Sequence, residues 1–205
     1  MNRNEGRTEP VLRKTGSSAD GQSLEAAEAA DAIKIVAVSD THMPRMAKAL
    51  PPDLVQELQD ADLILHAGDW TSPDVYDMLA AYAPVQGVAG NNDGPAIVER
   101  WGYRRIVEVG SRRIGLTHGH LGRGNAAANA LAAFEGEELP GIIVFGHSHV
   151  PLLSQEAGLP DSPNVSLFNP GSPTDKRRLK RYSFGIITLI GESASFRHCY
   201  SDSKI

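Results

Sequence analysis

The chain has 205 residues, 41% hydrophobic and 22% charged, enough for one sizeable core in one compact domain with a tail. A net charge of -5 offers no field for nonspecific nucleic-acid binding, and a single cysteine, Cys199, excludes an internal disulfide framework and a thiolate zinc ribbon. No apolar run reaches the length of a membrane span and the N-terminus has no signal-peptide core, so the expectation is a cytoplasmic protein without a membrane partner.

Residues 1–31 are rich in Gly, Ser and charge, with too little apolar surface to offset the entropy of ordering. They read as a disordered extension in which Leu24 to Ala30 can form a helical turn, ahead of a domain over residues 32–205. The first buried strand, within Ile33 to His42 (IKIVAVSDTH), ends in Asp40-Thr41-His42. Its near-continuous apolar run suits a parallel strand covered on both faces, and ligands in such sheets gather at the strands' carboxyl ends. Taken alone, the tripeptide reads equally as a turn with an incidental histidine.

The pattern recurs along the chain. Pro51-Pro52 opens a helix over DLVQELQ, and the strand Ala61 to His66 then ends in Ala67-Gly68-Asp69. Ser72 is placed as N-cap and Pro73 at the first position of the helix VYDMLAAY. Strand Pro84 to Ala89 ends in Gly90-Asn91-Asn92-Asp93. A hairpin, Tyr103 to Val109 and Arg112 to Thr117 around Gly110-Ser111, ends in His118-Gly119-His120. After a helix over Asn125 to Phe134, strand Gly141 to Phe145 ends in Gly146-His147-Ser148-His149. Segments Leu152 to Ser154, Val165 to Phe168, Phe184 to Ile190 and Ser195 to Tyr200 complete a second set of strands.

Five strand ends thus carry carboxylate, amide or imidazole donors, and five of the seven histidines lie in them. Imidazole with oxygen donors and no thiolate suits Mn, Fe, Ni or Zn. Two such ions about 3.5–4 Å apart clamp a phosphoryl group and generate hydroxide near neutral pH.

The stretches SDTH, HAGD, GNND, THGH, FGHSH and FNPGS resemble the calcineurin-like metallophosphoesterases, and within them the small phosphodiesterases related to the retromer subunit Vps29. The resemblance covers all but the tail. It implies an α/β fold, a four-layer αββα sandwich, and a phosphodiester hydrolase using a metal-bridging hydroxide. By motif it places Asp40, His42 and His149 on one metal, Asn91, His118 and His147 on a second, and Asp69 between both. It implies two divalent ions per chain, manganese foremost, and a small phosphoester substrate.

Larger members of that family read Gly-Asn-His-Asp where this chain has Asn92. An amide cannot donate a proton as imidazolium does, a loss of about 10²–10⁴-fold in general acid catalysis. Asp93 would orient such a histidine, and His120 either helps bind phosphate or supports the ligands by hydrogen bonding. Asn92, Asp93 and His120 are therefore the candidate catalytic residues.

Other motifs are weaker. Gly122 to Ala127 matches a loose dinucleotide pattern outside the first βα unit and reads as a flexible turn. Ser148 lacks the final glycine of a nucleophile elbow and reads as a spacer. His66 reads as core or as support behind the ligands, His198 as an ordinary strand residue, and Trp70 as packing. The run Lys176 to Arg181 (KRRLKR) reads as a solvated loop or an attractor of phosphate. Two function classes follow: a phosphodiesterase, favoured by the intact ligand set, and a Vps29-like interaction module that keeps the fold without hydrolysis. Composition leaves homo-oligomerisation open.

Overall fold

The computed structural model describes residues 8–12, 32–136, 138–157 and 165–204. Strand β2 (Ile33–Val38) lies between β3 (Leu63–His66) and β10 (Tyr182–Ile190) in a five-stranded sheet completed by β4 (Val85–Gly87) and β11 (Ser193–Ser201). β2, β3 and β4 run parallel, while β10 pairs antiparallel with both β2 and β11. The second sheet has the order β1 (Thr8–Leu12), β5 (Arg104–Val109), β6 (Arg112–Thr117), β7 (Ile142–Val144), β9 (Val165–Asn169), β8 (Leu152–Ala157). Within it β6, β7 and β9 are parallel.

The period-2 alternation of the strands divides their side chains between faces. Ile35 and Ala37 of β2, Leu63 and Leu65 of β3, and Ile187 of β10 pack between the sheets against Val107, Ile114, Leu116, Val144 and Phe168. Their neighbours Val36, Val38, Ile64, Phe184 and Ile186 face helices α1 (Pro52–Leu58), α2 (Asp74–Ala80) and α3 (Pro95–Trp101) through Leu54, Leu58, Val75, Leu79 and Ile97. On the far side Ile106, Ile143, Phe145 and Leu167 bury against Ala126, Ala130 and Phe134, on and just beyond α4 (Ala126–Ala132). Three apolar interfaces separate four layers, which is the expected αββα sandwich. Each fully buried aliphatic side chain contributes about 1.5–3 kcal/mol of transfer free energy.

Three local features depart from the sequence reading. Helix α2 begins at Asp74, one turn position after Pro73, and Ser72 takes the Asp74 N–H at 3.3 Å instead of capping a longer helix. Helix α3 was not legible: Pro95 starts it, but only Ile97 and Trp101 are buried on it, too short a stripe to announce a helix. Thr8–Leu12, inside the extension expected to be disordered, forms a strand parallel to β5. A strand containing Pro10 belongs at a sheet edge, and β1 occupies one. The rest of that extension, with its expected helical turn at 24–30, lies outside the described residues. Among the described residues no helix is long and apolar enough to cross a membrane.

Candidate metal centre

The parallel strands of both sheets end at the same edge, and the loops that follow them meet there. The loops after β2 and β3 zip together by backbone hydrogen bonds, Asp40 N to Gly68 O at 2.9 Å, His42 N to Asp69 O at 3.0 Å and Met43 N to Trp70 O at 3.1 Å. The other sheet joins through Asp40, whose Oδ2 accepts the His147 N–H at 3.0 Å, and through His118 Nδ1 against Ala67 O at 2.7 Å, while Gly146 N to His118 O at 3.2 Å ties the loops after β6 and β7 to each other. This cross-link puts β2, β3, β6 and β7 in register at one point.

The backbone there is strained. Among the described residues seven non-glycine residues have φ in the left-handed region, and five are Asp40, His42, Asp69, His147 and His149. Each such residue costs about 1–3 kcal/mol and persists only where the surroundings impose it, a pattern typical of functional sites. Gly90 is required for a related reason: a Cβ there would strike the Asp69 carboxylate.

Donor atoms converge on two overlapping groups. Asp40 with His42 and His149 forms one, and Asp40 with Asp69 and His118 the other, each with ligand atoms within 4.8 Å of one another. Asp40 Oδ1 lies 3.3 Å from His149 Nε2, 3.9 Å from His118 Nε2 and 4.0 Å from His42 Nε2. Asp69 Oδ2 lies 3.4 Å from His118 Nε2 and 3.7 Å from His42 Nε2. Asn91 Oδ1 extends the second group, 3.2 Å from His118 Nε2 and 3.0 Å from His147 Nδ1. All seven residues inferred from the motifs are brought together. The resemblance makes Asp69 the shared ligand, whereas the geometry sets both carboxylates between the two histidine sets.

The residues fit a cation on their own chemistry. Asp40 Oδ1 is buried and accepts no aligned hydrogen bond. His118 Nδ1 faces Ala67 O at 2.7 Å and His149 Nδ1 faces Asp175 O at 2.6 Å, so each Nδ1 carries the proton and each Nε2 turns its free position to the carboxylates. Lone pairs of carboxylate and imidazole at this separation repel unless a proton or a metal lies among them. Burial opposes charge on Asp40 and Asp69, but neighbouring His149 and His118 outweigh it and hold both carboxyls below their usual range. Burial likewise opposes protonation of His118 and His149, and the carboxylates overcome it and raise both. A proton and a metal would therefore compete for the same Nε2 positions.

Supporting residues surround this cluster. His66 is fully buried; its Nδ1 accepts the Gly68 N–H at 3.2 Å and its Nε2 lies 3.0 Å from Thr41 Oγ1, tying the two ligand loops. It stacks on Trp70 with ring centroids 3.6 Å apart, and Trp70 donates to Val88 O, so both are packing and support. Ser172 Oγ donates to Asp40 O at 2.8 Å and Thr174 Oγ1 to Thr41 O at 2.5 Å. These contacts give the FNPGS stretch its role, and with Asp175 they are the functional residues missed by reading motifs alone.

The three candidate catalytic residues sit differently from one another. Asn92 is exposed, and it donates from Nδ2 to Asp69 Oδ2 at 2.6 Å and from its backbone N–H to Oδ1 at 2.8 Å. Asp93 turns away from the opening, its carboxylate taking the N–H groups of Asp69, Thr71 and Gly90 at 2.9, 2.8 and 2.7 Å. His120 lies beside the ligands, its ring 5.3 Å from His118 and 6.3 Å from His147, with Tyr103 edge-on at 5.3 Å.

The weaker motifs resolve into structure. The Gly122 to Ala127 turn is braced, not loose: Asn129 accepts from Gly124 N and donates to the Gly119 and Gly124 carbonyls, while Asn125 caps α4. Ser148 Oγ accepts from Val150 N and Asn169 Nδ2, as a spacer would. His198 bonds Asn169 O and stacks on Phe168.

Carboxylate and imidazole donors gathered at the parallel-strand ends of an αββα sandwich define a metal-dependent phosphoesterase. The chain belongs to the calcineurin-like phosphoesterase superfamily, whose domain model matches residues 33–192. A probable metallophosphoesterase of Methanothermobacter thermautotrophicus is 39% identical over 157 residues, covering 76% of this chain and 85% of that one. A predicted phosphoesterase structure from Streptococcus pneumoniae aligns with TM-score 0.64 and 24% identity, over 85% of this chain and 92% of that one. Wild-type Vps29 of Entamoeba histolytica, solved with zinc, aligns with TM-score 0.62 and 22% identity, over 82% of this chain and 99% of that chain.

Proposed function

We propose that the chain is a phosphodiesterase acting on a small phosphoester at a dinuclear centre, with manganese as the working ion. The observation that carries this reading is the complete donor set, with Asp40 Oδ1 buried and bare at its middle. Asp40, His42 and His149 would hold one ion, Asn91, His118 and His147 the other, with Asp69 between them. Bound there, divalent ions supply Lewis acidity and a nucleophilic water near neutral pH.

The chain's own residues do the rest. Asp93 fixes the Asp69 and Gly90 loops through three backbone amides, so it positions ligands instead of touching substrate. Burial and the neighbouring His118 and His147 push His120 down to about 4, so at neutral pH it is an uncharged hydrogen-bond donor for a phosphoryl oxygen. Asn92, on the open side of Asp69, offers a hydrogen bond but no proton. Substrates whose leaving oxygen departs unaided are therefore preferred, aryl diesters over alkyl monoesters.

The test is hydrolysis of bis(p-nitrophenyl) phosphate by the Mn²⁺-loaded chain, expected to vanish with chelator and return with metal. Full metal occupancy without hydrolysis would instead support a second reading, a Vps29-like interaction module. Exposed Val150 and Leu152 favour that reading, lining with Ala126, Ala127 and Phe145 a surface hollow of about 190 Å³.

A further inference from the structure

We infer that Arg177 is a substrate-binding residue whose guanidinium grips an anionic oxygen of the phosphoester from the rim of the metal centre. This rests on the phosphodiesterase reading above. Arg177 lies in the basic run Lys176 to Arg181, which the ligand set does not use.

The loop carrying it is built onto the centre. Ser172 Oγ accepts the Asp175 N–H at 2.8 Å while donating to Asp40 O, and Asp175 O holds His149 Nδ1 at 2.6 Å. Asp175 Oδ1 then accepts the Arg177 N–H at 3.2 Å. From Asp40 through Ser172 and Asp175, one chain of hydrogen bonds fixes the Arg177 backbone two residues beyond the group that orients a ligand. At about 3.8 Å per residue, the Arg177 Cα lies within about 8 Å of that of Asp175, whose carbonyl holds His149.

Its backbone is also singled out. Seven non-glycine residues are left-handed; five are ligands, and Thr71 is clamped by Asp93 and Met43 O. Arg177, at φ 47°, is the seventh. A bulky residue takes that conformation against a steric cost where the surrounding loop imposes it.

Of the other four cations in the run, Lys176 and Arg181 are engaged, whereas Arg178 and Lys180 are exposed like Arg177; what sets Arg177 apart is the Asp175 hydrogen bond that fixes its backbone. Lys176 Nζ donates to Lys180 O at 3.0 Å and lies over the Tyr182 ring, and Arg181 lies over Tyr200. Among the described residues the Arg177 guanidinium has no hydrogen-bond or ion-pair partner, and the residue is exposed. A planar five-donor fork left unpaired on this loop can match phosphate oxygens bidentately, which a lysine cannot do.

The test uses the Mn²⁺-loaded full chain, inorganic phosphate as probe, and the variants Arg177→Ala, Arg177→Lys and Arg178→Ala. Calorimetry should show phosphate binding weakened about tenfold or more in Arg177→Ala, the loss expected of a charge-assisted pair. Arg177→Lys should recover part of it. Arg178→Ala, with an exposed side chain on the same loop, should bind as wild type, and metal content and thermal midpoint should stay unchanged in all three. With bis(p-nitrophenyl) phosphate, KM should rise more than kcat falls. Wild-type phosphate affinity in Arg177→Ala, an equal loss in Arg178→Ala, or a loaded wild type that binds no phosphate overturns the inference. Phosphate binding that depends on Arg177 without diester hydrolysis overturns the proposed function instead.

Discussion

Asp93 accepts the backbone N–H of Asp69 at 2.9 Å, so the carboxylate expected to orient a proton donor instead fixes the central ligand. The same Oδ2 takes the Gly90 N–H and Oδ1 the Thr71 N–H. Asp93→Ala leaves three amides without their acceptor and should destabilise the fold by about 3 kcal/mol or more, given about 1–3 kcal/mol for each buried donor left unpaired. Urea unfolding measures that loss, and calorimetry should show weaker Mn²⁺ binding. Unaltered metal affinity would remove Asp93 from the support of the site.

His66 gives a pH signature for the metal-free chain. Burial pushes it down to about 3 from the ordinary 6.5, outweighing the attraction of Asp40 and Asp69. Between those values the unfolded chain binds this proton and the folded chain does not. Stability from this group is therefore intact above 6.5 and falls as pH drops toward 3, by up to about 1.4 kcal/mol per pH unit. His66→Gln should lower stability at pH 7.5 and flatten that slope, read from urea midpoints at pH 7.5, 6 and 5. Parallel slopes in the two proteins would mean that His66 is not held neutral.

Asn92→His restores a proton donor beside Asp69. Metal content should not change, since the proposed ligand is Asn91. Rates should rise most for diesters with basic leaving groups, by up to about 10²-fold, and least for nitrophenyl esters. A new limb near neutral pH should accompany the gain. An unchanged dependence on leaving-group basicity would show that position 92 does not face the leaving oxygen.

What was legible in the sequence follows from how each feature is encoded. Buried strands announce themselves through runs such as Ile33 to Val38, and donors at strand ends follow by contiguity, while the choice of seven proposed ligands among them came from the family resemblance. Features made by partners distant in sequence could not. Asp93 differs from a proton-relay residue only through amides up to 24 residues away, and the Ser172 and Thr174 contacts to Asp40 and Thr41 span more than 130 positions. Local signals failed where they were short. Helix α3 has a single turn of apolar spacing, and β1 gains its strand from the open edge of β5 instead of from its own pattern. Arg177 looked like one charge among five, and the hydrogen-bond chain from Asp40 through Ser172 and Asp175 separates it.

The most direct measurement is the metal content of the full chain after Mn²⁺ loading and removal of free ion. The account predicts close to two ions per chain in the wild type, and almost none in Asp69→Ala, whose carboxylate lies between both histidine sets. A wild type that retains no more than one ion, or an Asp69→Ala variant that keeps both, contradicts it.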